Sequence, residues 1–317
     1  MALKSGMAGQ LAIKAESTYG TFVAPDRFYP LISESLTEEI DRMEAEGNVA
    51  GQRVLTSVQW APGNVSIAGD IQTELYQQGT GALLKACFGT VVTAGAGPYT
   101  HTFSPGDLDD DSLSLQVGVP DVAGTVQPFS FAGVKVTDWE LQVEAGGLVM
   151  LSTSVVAQSL VTSESLVTAS YGTGTATPFT FKHASATIAG SAANVKSLTL
   201  SGSNGLDTDR RFIGSALMAQ PLEAELREYS GTVELEFESL THLNRFRNGT
   251  EAAMVLTITA GASASLVVTM NARFDGSTPE VDGRGIVQMS SPFKCIASST
   301  AASAITAVLT NADSTPV

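Results

Sequence analysis

Charged, aromatic and cysteine residues are all scarce in this chain of 317 residues. Charged residues make up 15% of it and aromatic residues 7%, whereas hydrophobic residues make up 43%, too large a share for intrinsic disorder. Basic residues are the scarcest charged type, because 17 Lys and Arg stand against 32 Asp and Glu and leave a formal net charge of −15. Such a surface repels phosphate. The composition therefore disfavours nucleic acid as a ligand but suits a surface past which DNA slides.

Two cysteines, Cys87 and Cys295, are too few and too far apart for a disulfide framework or a CxxC metal site. We expect both to be buried free thiols in a reducing compartment. Residues 1–17 lack the apolar core of a secretory signal, and the longest uncharged stretch, 145–163, is interrupted by Ser, Thr and Gln like strand material. These features predict a soluble protein that is made inside a cell and does not bind a membrane.

The sequence contains no GxSxG elbow, no P-loop and no GxGxxG segment after a strand. His101, His183 and His242 lie far apart, without the spacing of metal ligands. Residues 107–111 contain four aspartates and resemble the start of a calcium loop, but Ser112 and Gly118 stand where Gly and Glu would be needed. This pattern favours a solvated loop over a cation site, and we expect no cofactor.

The most informative feature that is present is an internal repeat at an offset of 162 residues. The tripeptide Ser-Leu-Thr at 35–37 recurs at 197–199, and the same offset relates Gly69 to Gly231 and Glu74 to Glu236. Further pairs at this offset are Leu55 and Leu217, Ile71 and Val233, Leu75 and Phe237, and Leu84 and Phe246. A chain with two copies of one unit and no visible catalytic site is typical of a building block for rings or filaments.

Short alternating segments bounded by Gly and Pro predict an all-β fold with only two short helices. We predict strands at 31–41, 66–76, 99–103, 112–119, 129–144, 148–157, 179–189, 194–202, 229–238, 253–259, 264–274, 285–296 and 304–310, and helices at 79–88 and 240–248. The chain then divides into an N-terminal arm (1–27), a first β-sandwich or barrel unit (28–158), a Gly, Ser and Thr-rich linker (159–178) and a second unit (179–317).

Acidic residues occupy one face of the best strand in each unit. In the first copy Asp70, Gln72 and Glu74 alternate with apolar residues, and in the second Glu234, Glu236 and Glu238 do so. Rows of this kind are usually solvent-facing, and the sharper hypothesis is that they line an aqueous channel. Paired carboxylates could also serve a glycosidase, but two tryptophans supply few sugar platforms, so we predict a protein that is not an enzyme.

Long loops follow the first strand of each copy, at 42–63 and 207–228. Loops of this length in compact domains usually bind something. We predict that they contact a neighbouring ring through eight residues: Arg42, Gly51, Arg53, Trp60, Asp207, Arg210, Arg211 and Glu223. The strands at 66–76 and 229–238 have edges that need a partner, and a barrel closed between subunits removes such edges.

Several segments, in this order and spacing, resemble the major tail tube proteins of long-tailed, non-contractile phages. They are WAPG at 60–63, GDI at 69–71, YTHTFSP at 99–105, LQVGVPD at 115–121, FAGVKVTDWEL at 131–141, NGLD at 204–207, REYSG at 227–231 and RFDG at 273–276. The likeness runs from about residue 19 to the C-terminus. None of these segments is catalytic.

The resemblance implies a tube domain with one flanking helix, stacked rings, and inner strands that join into one β-barrel around a DNA channel. It also implies tape measure, tail tip and tail terminator proteins as partners, DNA that passes through without specific binding, assembly in the host cytoplasm and a place in the virion tail. Because such domains usually occur once per chain in sixfold rings, two copies favour a trimer with pseudo-sixfold symmetry. If the first copy is only an elaboration, a hexamer results. A baseplate-adjacent protein or a capsid decoration protein is the alternative function.

Overall fold

A computed structural model describes residues 5–109, 111–172, 177–276, 278–279, 281, 283–300 and 302–316. The strands are β1 (Gln10–Ala15), β2 (Arg27–Tyr29), β3 (Ser33–Glu34), β4 (Thr37–Glu44), β5 (Trp60–Glu74), β6 (Gly89–Ala94), β7 (Tyr99–Pro105), β8 (Leu113–Pro120), β9 (Val126–Glu144), β10 (Met150–Ala157), β11 (Ser159–Val161), β12 (Ala184–Ile188), β13 (Ser191–Ala193), β14 (Val195–Ser203), β15 (Glu228–Glu236), β16 (Glu251–Gly261), β17 (Ala264–Phe274), β18 (Gln288–Cys295) and β19 (Ile305–Asn311). The helices are α1 (Gly81–Phe88) and α2 (Leu240–Asn248). The predicted all-β class and both predicted helices are confirmed.

One layer of the fold, which we call the polar sheet, has the strand order β4-β5-β10-β9-β14-β15-β18, with every pair antiparallel. Its register aligns Gln72 with Ser152, Ser152 with Glu140, and Glu140 with Ser201. Since directly opposite residues share a face, side chains from both halves of the chain form continuous rows across this sheet.

A second layer has the order β13-β12-β16-β17-β19-β7-β6, in which β19 joins β17 of the second half to β7 of the first. The N-terminal half of β9 turns away from the polar sheet and pairs with β8 and β11, while β1 pairs with β8 and β2. Between the layers lies one hydrophobic cluster, which contains buried residues from Leu11 through to Leu309. The two halves therefore share two sheets and a core.

The repeat offset of 162 residues also relates the limits of secondary structure elements. It carries the end of β5 at Glu74 onto the end of β15 at Glu236, and the start of β6 at Gly89 onto the start of β16 at Glu251. It carries the range of α1 onto residues 243–250, which overlap α2 at 243–248. The division into two units with limits at 28–158 and 179–317 stays a prediction, because the halves are joined through β9–β14 and β7–β19.

Several segments differ from the sequence-based expectation, and strand β6 is one that the predicted strands did not include. Residues 10–15 of the predicted N-terminal arm form β1, in which Leu11 and Ile13 are fully buried, while residues 1–4 lie outside the described part. Of the predicted linker, residues 173–176 lie outside the description, 159–161 form β11, and the backbone carbonyl of Val167 accepts a hydrogen bond of 2.7 Å from Gln10 Nε2. The predicted long loop 42–63 is shorter, because β4 continues to Glu44 and β5 begins at Trp60.

Trp139 packs where the two halves meet in the polar sheet. Its ring centroid lies 5.2 Å from that of Phe88 and 6.1 Å from that of Tyr229. Directly opposite it in β14 is Gly202, where an added Cβ would lie 2.3 Å from Trp139 Cε2. The absence of a side chain at this position therefore lets the indole lie flat against the neighbouring strand.

We predict that Gly202→Ala lowers the free energy of unfolding by about 2–4 kcal/mol, because the added methyl group forces the buried indole to move. Urea denaturation followed by tryptophan fluorescence measures this. Gly47→Ala is the matched control, since a Cβ at Gly47 meets nothing within 4 Å. Equal stability of the two variants would contradict the proposed packing constraint.

Candidate assembly surfaces

The polar sheet has one buried face and one open face. On β5, Ile67, Ile71 and Thr73 are buried, whereas Asp70 and Gln72 are exposed and Glu74 is half-buried on the opposite face. The Asp70 carboxylate accepts a hydrogen bond of 2.6 Å from Ser154 Oγ in β10. The alternation predicted for this strand is confirmed. Whether its polar face lines a channel stays a prediction.

In β15, Val233 and Leu235 are buried while Glu234 is exposed on the open face. Glu236 ends the strand and forms an ion pair with Lys196 across 3.7 Å. Glu238 lies beyond the end of β15 and accepts a hydrogen bond of 2.8 Å from Asn194 Nδ2. Five of the six predicted residues therefore belong to strands of the polar sheet, whereas Glu238 lies past the end of β15.

A third acidic row lies on β9, between the two that the sequence indicated. Asp138, Glu140 and Glu144 are exposed and alternate with the buried Trp139, Leu141 and Val143. Our sequence interpretation missed these acids, although the alternation in DWELQVE at 138–144 was a sufficient signal. The row connects the β5 and β15 acids, because β9 pairs with β10 on one side and with β14 on the other.

Hydroxyl groups fill most of the open face between these carboxylates. They come from β10, β14 and β15: Ser152, Ser154, Ser197, Thr199, Ser201, Ser203, Ser230 and Thr232. Lys294 of β18 forms an ion pair with Glu228, and Lys196 pairs with Glu236. The face is therefore hydrated and carries an excess of negative charge, which repels polyanions instead of binding them.

Both outer strands of the polar sheet have an open backbone edge within the described residues. All of β4 is exposed, and β5 is its only strand partner. At the opposite end, β18 pairs with β15 along its length but with β17 only at residues 293–295. Open edges of this kind are templates for pairing with another chain.

The first long loop belongs to an extended hairpin, which we call the arm: β4, residues 45–59 and the start of β5 to residue 66. Arg42 lies over the Trp60 ring at 5.5 Å from its centroid, and Gly51 has a φ of +84° in the turn. Arg53 is exposed. Apolar side chains are exposed all along the arm, namely Ile40, Met43, Val49, Val54, Leu55, Val58 and Trp60. Such a patch is a mark of a contact surface.

The second long loop, in contrast, is fastened along its length, in part to the base of the arm. Arg211 donates hydrogen bonds to the Val65 carbonyl (2.9 Å) and Ser66 Oγ (2.8 Å), and Arg210 donates to the Gln220 carbonyl. Glu223 accepts from the Leu108 backbone amide at 3.1 Å, and the Asp207 amide donates to the Leu222 carbonyl at 2.8 Å. The predicted contact residues of this loop therefore help to hold it in place. Phe212 and Ile213 at its tip and Leu226 near its end are its most exposed large apolar side chains.

The aspartate loop at 107–111 surrounds a lysine. The buried Lys135 ammonium donates to the carbonyls of Leu108 (2.6 Å), Asp109 (3.1 Å) and Pro221 (3.1 Å). Burial lowers the pKa of Lys135, and the nearby Asp109 and Asp111 oppose this effect. Asp111 also pairs with Lys85 at 2.6 Å, and Asp110 lies outside the described residues. The loop was expected to be solvated; instead, a buried ammonium group supplies positive charge beside its carboxylates and carbonyls.

The remaining candidate groups are structural. Cys87 and Cys295 are buried free thiols, as predicted, and burial raises the pKa of Cys295 to about 12. His101 is fully buried, with Nδ1 at 2.8 Å from Thr93 Oγ1 and Nε2 at 2.9 Å from the Asp313 carbonyl oxygen. Across the described residues, no group of three or more His, Cys, Asp or Glu side chains could hold a metal ion. Neither helix found there has the length and apolar character needed to cross a bilayer.

Comparison with known proteins gives one family. A family model described as "Phage tail tube protein" matches residues 6–304, which is nearly the whole chain. A comparison with curated proteins gives no match.

Lys135 generates a prediction about the second loop. We expect Lys135→Met to cost about 2–4 kcal/mol in unfolding free energy and to loosen residues 207–227, because three buried carbonyls lose their donor. Limited trypsin digestion should then cut faster at Arg210 and Arg211 than in the unmodified protein. Lys14→Met, which removes a half-exposed ion pair with Asp26, is the control. An unchanged cleavage rate at both arginines would count against this role of Lys135.

Proposed function

Because the chain belongs to the phage tail tube protein family, we propose that it polymerises as stacked rings whose polar sheets close into the wall of a DNA conduit. Its role is structural, as a component of the virion tail, and membership of this family points to a protein that is not an enzyme. The observation that carries the ring proposal is the polar sheet itself, which has two open edges, one hydrated acidic face and one apolar face.

The two open edges support closure between subunits. Within the chain, β9 of the first half pairs with β14 of the second, and β5 and β15 correspond through the repeat offset. If each half supplies one sector of the wall, three chains supply about six sectors in a closed cyclic ring. We therefore propose a trimer with pseudo-sixfold symmetry, built from a duplicated tube domain, in preference to a hexamer.

The arm and the second loop extend the proposal to the contacts between rings. The arm continues β4 and β5 beyond the sheet, and the tip of the second loop exposes Phe212 and Ile213 near the same end, because Arg211 ties it to Val65 and Ser66. We propose that the tip of the arm, residues 45–59, and the tip of the second loop contact an adjacent ring. The tape measure, tail tip and terminator proteins would then meet the ends and lumen of the tube, in a long-tailed, non-contractile phage whose tail assembles in the host cytoplasm.

Electron microscopy of the purified protein tests the ring and its stoichiometry. We expect hollow tubes, with end-on views that show three chains and six alternating lobes, and a reconstruction that places residues 45–59 and 212–213 at ring boundaries. Six chains of 32.8 kDa per ring would reject the trimer. A chain that stays monomeric at high concentration, even beside a tail-tip initiator, would reject the tube.

The acidic face generates a second prediction. In the proposed tube Asp70, Gln72, Glu74, Glu234 and Glu236 face the lumen together with the β9 acids, and like charge costs DNA about 1 kcal/mol per pair at 4 Å in water. Glu140→Lys combined with Glu234→Lys should preserve assembly, retain short duplex DNA when tubes are pelleted, and slow DNA ejection from a phage that carries the variant.

Glu164→Lys supplies the matched control for the lumen experiment, because this exposed acid lies outside the polar sheet. Tubes of this control should leave DNA in the supernatant, as should tubes of the unmodified chain. If the double lysine variant forms tubes that retain no more DNA than the control, the open face of the polar sheet does not line the lumen.

A further inference from the structure

The two helices are related by the repeat offset but have opposite surroundings. In α1 every residue except Lys85 is buried, whereas in α2 Leu243 is the buried residue. Leu240, Thr241, Asn244, Arg247 and Asn248 of α2 are exposed, and we call them the bare face. Positions 240, 244 and 248 recur at helical spacing, so these side chains form one continuous surface along the helix.

The cover of α1 comes partly from the other half of the chain. Arg227, just before β15, donates a hydrogen bond of 2.8 Å to the Phe88 carbonyl at the end of α1 and another to the Gly106 carbonyl. Tyr229 stacks on Phe88 with an interplanar angle of 12°. Pro316, near the C-terminus, lies against Gly81. The junction between the halves therefore buries α1 at the same place where β9 pairs with β14.

The repeat offset shows which segment would cover α2 in the same manner. It relates the segment 227–229, which covers α1, to 65–67 in β5, at the base of the arm. Val65 is already hydrogen-bonded to Ala216 and Arg211, and Ile67 is buried, so the part of the arm that remains free to cover α2 is the neighbouring strand β4. In the described residues, no strand pairs with β4 on its outer edge, and the main packing partner of α2 is β17. Ile40 is opposite Val65, and Glu38 is opposite Ile67, so both lie on the core-side face of the arm. Ile40 is nevertheless 39% exposed.

Charge supports the same pairing. The α2 sequence contains His242, Arg245 and Arg247 and no carboxylate, in a chain of net charge −15. The arm contains five acids, Glu38, Glu39, Asp41, Glu44 and Glu46, against Arg42 and Arg53. We propose that the bare face of α2 is the docking site for the arm of a second copy of this chain in the same ring. This inference rests on the proposed ring. Between chains, the arm of one copy would cover α2 of the next, much as residues 227–229 cover α1 within the chain.

In the proposed contact, Ile40 packs on the apolar side chain of Leu240, and Glu38 and its acidic neighbours face Arg247. The interface is heterologous, because each chain offers an arm from its first half and a bare helix from its second. Each chain has one arm and one bare face, so the arm of each chain can bind the bare face of the next. This contact repeats around the ring until the ring closes.

Cysteine cross-linking of the full chain tests the contact. Cys87 and Cys295 are buried, so they can stay in place. Ile40→Cys combined with Asn244→Cys should give disulfide-linked oligomers when the protein is assembled and none when it is dilute. Ile40→Cys combined with Val122→Cys is the control, because Val122 is 74% exposed on the β8–β9 turn, away from α2.

Charge exchange supplies an independent measurement. Arg247→Glu should raise the concentration for half-assembly about fivefold, the value of one exposed charge pair, and Glu38→Arg in the same chain should restore it. Lys14→Glu, the same charge change on β1, should leave it unaltered. Tubes that form with neither the cross-link nor the charge sensitivity would overturn this docking and leave the proposed function intact. Failure of the unmodified chain to form rings or tubes would reject the proposed function, and this inference with it.

Discussion

The antiparallel pairing of β9 with β14 is the contact on which the remaining structure depends. It joins the two halves of the chain into one sheet, and it places Trp139 against Gly202 and beside Phe88 and Tyr229. Because side chains alternate between faces, this single pairing aligns the apolar rows of both halves on the core side and the acidic rows on the other. A slip of one residue in this register would turn the apolar side chains of one half to the opposite face of the sheet.

The same pairing leaves the sheet incomplete. A sheet whose central strands are paired on both sides still ends in β4 and in the free part of β18, and neither edge is blunted by a covering element in the described residues. Soluble proteins usually protect such edges. Open edges that lie beside exposed apolar side chains indicate a surface that binds another chain. The net charge of −15 opposes indiscriminate association, so assembly has to proceed through surfaces where charge is locally complementary.

The sequence patterns predicted those elements whose residues alternate or recur at helical spacing along the chain. The strands β5 and β15 and both helices were predictable, because their alternation or helical spacing is strong and a glycine follows the end of each helix, Gly89 and Gly249. The strand β1 was missed, since both of its faces are buried and QLAIKA does not alternate. Glu238 continues the alternation of β15 in sequence, but the pairing of β15 with β18 ends at Glu236 and Gln288. The burial of Lys135 was not predictable, because a lysine in a strand is usually exposed. Here carbonyls that are distant in sequence surround its ammonium group.

The contrast between the two halves of the chain is consistent with the duplication that we propose. The first half has a free arm and a covered helix, and the second has a fastened loop and a bare helix. In a ring of identical single units, each unit would have to carry both members of any complementary pair on one small domain. If the chain holds two copies, as we propose, both sides of one junction belong to the same chain, and that junction can be tightly packed, as the Trp139 cluster is. The proposed junction between chains can then have exposed and charged surfaces, which reversible assembly requires.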